Sequence, residues 1–86
     1  MSVQRVVVTR TGGFAGIVVT REVDDPSEAE RLTAAVRSAA SQDAGRARDD
    51  FVYEFTIVTT VGIERVDLTG AQLTDDLRPA VRSLLA

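Results

Sequence analysis

The run Phe51-Val52-Tyr53-Glu54-Phe55-Thr56-Ile57-Val58 decides the fold. Phe51, Tyr53, Phe55 and Ile57 alternate with Val52, Glu54, Thr56 and Val58, a two-residue period that belongs to a strand with two distinct faces. The odd positions hold every aromatic side chain of the sequence except Phe14, so they are expected to line the core. Thr59-Thr60-Val61-Gly62 is short enough for a tight hairpin turn, with Gly62 suited to a left-handed backbone position. Ile63 to Leu68 then returns as the partner strand, with Val66 and Leu68 inward and Arg65 and Asp67 outward.

Upstream, a second hairpin precedes a helix. Val3 to Arg10 is β-branched almost throughout, with Val3 and Val7 expected on one face and Val6 and Val8 on the other, the pattern of a central strand. The turn Thr11-Gly12-Gly13-Phe14-Ala15-Gly16 leads into Ile17 to Val23, where Ile17, Val19 and Val23 point to the core and Val18, Thr20 and Glu22 away. In Asp24-Asp25-Pro26-Ser27-Glu28, Asp25 is expected as N-cap, with Pro26 at the first helical position and Glu28 completing a capping-box variant. Ala29, Leu32, Val36, Ala39 and Ala40 form a narrow apolar stripe on this helix, which ends near Ser41.

Residues 42–50 have no apolar period and read as a solvated loop. After the second hairpin, Thr69-Gly70-Ala71-Gln72 breaks the strand. Leu73, Leu77, Val81, Leu84 and Leu85 mark a short final helix, with an N-cap at Asp75 or Asp76 that keeps Pro79 in the first turn. The expected fold is α+β: a four-stranded, mostly antiparallel sheet of two β-hairpins, a helix packed on one face and a short C-terminal helix, in the order ββαββα. All 86 residues form one domain. If the first helix runs back along the sheet, the glycine turn, the 42–50 loop and the 69–74 connection meet at one end, with Thr60 to Gly62 alone at the other. Loops gathered on a rigid scaffold are the usual place for binding.

Composition narrows the function. The sequence has no cysteine and no histidine, which removes the thiolate nucleophile, the usual general base and the usual zinc ligands. An enzyme is therefore not expected, nor any cofactor or resident metal. The ten basic residues are all arginine, scattered against a net charge of −3, which argues against a nucleic-acid footprint. No apolar stretch suggests a signal or a membrane span, so a cytoplasmic, soluble chain is expected.

The candidate site is Gly12, Gly13, Phe14, Ala15 and Gly16, with Asp49, Asp50 and Gly70 from the neighbouring loops. Phe14 either caps the end of the core or is presented as an apolar anchor to a partner. The glycines lack the downstream Lys-Ser/Thr of a phosphate-binding loop. Asp43, Asp49 and Asp50 lack the ligand spacing of a calcium loop and read as solvated. Arg78 and Arg82, four apart on an exposed helix face, read as having no specific role.

The segments Arg10-Thr11-Gly12-Gly13-Phe14-Ala15-Gly16-Ile17, Asp50-Phe51-Val52-Tyr53 and Leu73-Thr74-Asp75-Asp76-Leu77-Arg78-Pro79 together resemble the emfourin family. The Gly-Gly-Phe-Ala-Gly-Ile run is the most specific of them, and the similarity spans essentially the whole chain. The resemblance implies a non-catalytic inhibitor of thermolysin-like zinc metallopeptidases, with such a peptidase as protein partner. It carries no assignment of contact residues. Thermolysin-like enzymes favour a bulky apolar side chain just after the scissile bond, and Gly13-Phe14 offers one. The expectation is occlusion of the active-site cleft by Gly12 to Gly16 and the neighbouring loops, by a monomer or weak homodimer. The alternative is a small interaction domain or homodimeric accessory domain without inhibitory activity.

Overall fold

A computed structural model describes residues 2–12, 18–41, 52–75 and 77–85. Strands β1 (Val3–Thr11) and β2 (Val19–Val23) are followed by helix α1 (Pro26–Ala40). Strands β3 (Val52–Thr59) and β4 (Gly62–Thr69), a single 3-10 turn (Gly70–Gln72) and helix α2 (Leu77–Leu85) complete the chain. The α+β class and the order ββαββα are as expected. All pairings are antiparallel and the strand order is β2-β1-β3-β4, so the two hairpins meet through β1 and β3 at the centre.

One face of the sheet is covered. Val6, Val8, Phe55, Ile57 and Leu68 close against Ala29, Leu32, Val36 and Ala39 of α1 and Leu77, Val81 and Leu85 of α2, all in one buried cluster. Phe55 and Ile57 are fully buried, as the alternation in β3 requires, while Tyr53 is half-buried against the same cluster. Phe51 lies outside the described residues. The opposite face carries Val7, Thr9, Thr56 and Val58 among charged pairs: Arg5 to Glu22 at 3.4 Å and Arg65 to Glu54 at 3.0 Å.

Three local expectations are corrected. In β1, Val3 is buried together with Val6 and Val8, not opposite them. A bulge between Val3 and Arg5 is the reason: Val3 pairs with Thr59 and Arg5 with Val58, so Gln4 is an extra residue. Strict alternation would aim Gln4 at the core and turn Val3 out; the bulge absorbs the polar residue and keeps the valine inside. In α1, Asp25 is the N-cap residue but its side chain makes no capping hydrogen bond; its carbonyl receives the N–H of Ala29 at 2.8 Å. A capping box forms instead where Thr69 and Gln72 bracket the 3-10 turn. Ala40 is exposed, and the buried stripe of α1 includes Thr33 in its place.

Helix α1 also takes a different course from the expected run along the strands. Val23, Val6, Ile57 and Glu64 lie in one register row across the sheet. The helix starts three residues after Val23 at one edge, and Arg37 near its other end reaches Glu64 at the opposite edge, at 2.7 Å. It therefore crosses the strands instead of returning along them. The small Ala29 and Ala39 let it lie close to the sheet.

Candidate functional site

The register of the central strands decides which loops share an end. Thr11 of β1 pairs with Val52 of β3, and Val52 pairs with Thr69 of β4. Gly12, Val52 and Gly70 thus leave the sheet side by side, with neighbouring strands about 4.8 Å apart. Gly12 has φ +106°, where a side chain would be strained, so the chain turns out of β1 at the one residue type suited to it. Of the expected site residues, Gly12 and Gly70 are brought to this common end. Gly13, Phe14, Ala15, Gly16, Asp49 and Asp50 lie outside the described residues.

Gly70 belongs to a tightly tied corner. The N–H of Thr69 donates to Gln72 Oε1 at 3.0 Å, and the N–H of Leu73 to the Gly70 carbonyl at 3.3 Å. Thr74, not Asp75, caps the approach to α2. Its hydroxyl and its carbonyl both accept from the N–H of Leu77, and its carbonyl also accepts from Arg78 at 2.8 Å. A threonine hydroxyl reaches back to a helix N–H without carrying charge, and Asp75 is left exposed to solvent. Asp76 lies outside the described residues. Pro79 falls in the first turn of α2 as expected, where its missing donor costs little.

The arginines at this end were undervalued by sequence. Arg78 Nη2 donates to the Leu73 carbonyl at 2.9 Å, which pins the segment between Gly70 and α2. Arg10, Arg78 and Arg82 line one open cleft of about 330 Å³, floored by Tyr53, Leu73, Val81 and Leu85 and bordered by Gly70. Arg78 and Arg82 do lie four apart on α2, but they share this cleft with a residue from β1. The juxtaposition is invisible to helical periodicity because Arg10 comes from a distant strand. Three arginines of the net-acidic chain thus line one cleft at the end where Gly12 and Gly70 meet.

Among the described residues, no group of three or more His, Cys, Asp or Glu side chains could hold a metal. No helix among them is long and apolar enough to cross a membrane. What this end offers is main chain at Gly12 and Gly70, a cleft lined by arginines and a four-stranded sheet beneath them.

The family model for emfourin matches residues 8–85, from β1 to the last residue of α2. The chain belongs to the emfourin family. Emfourins as a family are protease inhibitors, so the surface to be explained is one that meets a protease. The matched region takes in the glycine turn, the corner around Gly70 and all three arginines of the cleft, and leaves out the β1 bulge. No curated protein and no solved structure matches the chain.

Proposed function

We propose that this emfourin is a non-catalytic inhibitor of a thermolysin-like zinc metallopeptidase, and that the end carrying Gly12 and Gly70 enters the active-site cleft. The observation that carries the reading is the register row Thr11–Val52–Thr69, which sets Gly12 and the Gly70 corner next to each other on a four-stranded base. Main chain fixed at paired strand ends, as at Gly12 and Gly70, loses little conformational entropy on binding. Phe14 supplies the bulky apolar group that such peptidases accept beyond the scissile bond. The exposed Arg78 and Arg82 beside this cleft suit acidic side chains at the rim of the enzyme's cleft and would speed encounter more than they tighten the complex. With neither histidine nor cysteine in the chain, a zinc contact would fall to a carboxylate or a main-chain carbonyl.

The test is a titration of several thermolysin-like peptidases with the purified protein. Full peptidase activity at micromolar protein in every case overturns the reading. For the mechanism, Phe14→Ala is expected to weaken inhibition by about tenfold or more, the loss of an apolar anchor. Its far-UV circular dichroism and urea midpoint should match the parent. An unfolded variant would show that Phe14 caps the core, and unchanged inhibition would remove it from the contact.

A further inference from the structure

The two outer strands of the sheet are not equivalent. Thr60 N–H donates to the Ser2 carbonyl at 3.0 Å, so the even-numbered residues of β3 direct their main-chain groups towards β1 and the odd-numbered ones towards β4. Carrying the alternation outward, β2 turns the groups of Thr20 and Glu22 to its free side, and β4 those of Ile63, Arg65 and Asp67. On β2 the outward carbonyl of Thr20 is already taken by Arg21 Nη1 at 2.8 Å. On β4, among the described residues, only the last position is closed, where Gln72 accepts the Thr69 N–H. Among the described residues, the middle of β4 is an open template for another strand.

Charge along β4 says which strand. Asp67 faces Glu54 across the β3–β4 pair, like charge against like, and makes no ion pair among the described residues. Arg65 lies two residues away on the same face, with a side chain that is 68% exposed. We propose that two copies of this chain pair antiparallel through β4, centred on Val66, with Arg65 of each copy opposite Asp67 of the other. In that register the outward main-chain groups of Arg65 and Asp67 bond one another, and each Asp67 gains a cation from the partner copy, an exposed Arg65 that also pairs with Glu54 of its own chain at 3.0 Å. Sliding one copy by two residues in either direction sets Arg65 against Arg65 or Asp67 against Asp67. Slides by one residue leave the outward groups out of step. The result is one eight-stranded sheet with both helical layers on the same side, formed at an edge distant in sequence from the glycine turn. The pairing stands independently of the inhibitor reading.

Sedimentation velocity of the full chain across a concentration series tests it. The parent is expected to dimerise reversibly. Asp67→Arg and Arg65→Asp are each expected to raise the dissociation constant by about tenfold or more, and the double exchange to return it to within about threefold of the parent. The chain has no cysteine, so Val66→Cys provides a second measurement: residues facing each other in a non-hydrogen-bonded pair have Cα atoms about 4.5 Å apart, within disulfide reach. Oxidation should convert this variant to a covalent dimer that keeps the parent's circular dichroism. A parent that stays monomeric at about 1 mM, where any weak pairing would show, overturns the proposal. So does a dimer indifferent to Asp67→Arg, or one that the double exchange fails to restore.

Discussion

Thr33 is 2% exposed in the middle of α1, and its hydroxyl has no hydrogen-bond partner among the described residues. A buried hydroxyl without a partner carries its desolvation cost uncompensated, and valine has nearly the same shape and a similar helix propensity. Thr33→Val is therefore expected to stabilise the protein by about 1 kcal/mol, read as a higher urea midpoint at unchanged slope. A polar residue inside the stripe is one reason the sequence understates the helix's buried face: periodicity counts apolar letters, and Thr33 is not one. Arg78 is a similar case. Its spacing from Arg82 was plain, but the carbonyl of Leu73 that it holds and the cleft it shares with Arg10 depend on how α2 meets the sheet. Gly12 was legible as a turn residue, and its positive φ follows from that role.

At the scale of elements, β-branched content located β1, alternation helped locate the other three strands, and the Pro26 signal located the start of α1 to the residue. What alternation could not locate was the bulge, because no glycine or proline marks it and the insertion of Gln4 only becomes evident against Thr59 and Val58 on the partner strand. Removing Gln4 is expected to leave Val3 opposite Thr59 and still inside the core. Such a deletion should cost no more than about 1 kcal/mol, checked by urea unfolding, with amide shifts changed only near residues 2–5 and 58–60. A large loss of stability would mean that the bulge, and not just the placement of Val3, is needed. The course of α1 was out of reach for a different reason. Sequence fixes which residues of a helix face the sheet but not the angle at which it crosses, and that angle is set here by alanine contacts and the Arg37–Glu64 pair. The capping box at Thr69 was there to be found: a threonine followed three residues later by glutamine is its signature.

Across the whole molecule, the meeting of Gly12 and Gly70 at one end was legible in outline. Connectivity placed Gly12 and Gly70 at one end, and the register row through Val52 agrees. The same strand order makes a prediction about motion. β1 and β3 are each paired on both sides, whereas β2 and β4 have one free edge. Native-state hydrogen exchange should therefore be slowest for Val7, Thr9, Glu54 and Thr56, whose amides bond across the central β1–β3 seam, at the free energy of global unfolding, and faster by at least about tenfold for Thr20 and Asp67, whose amides point outward. Equal protection across all four strands would contradict the pairing described.

The central seam joins residues as far apart as Val3 and Thr59, and it is also the spine of the core. Neither hairpin can peel away without uncovering Phe55 or Val6, so there is no cheap partial opening that would thread a length of β1 or β3 into a peptidase. For a member of a protease-inhibitor family this is a form of self-protection. Cutting within β1 or β3 therefore waits on the opening of the central seam, so the survival of these strands beside a peptidase is governed by one cooperative equilibrium.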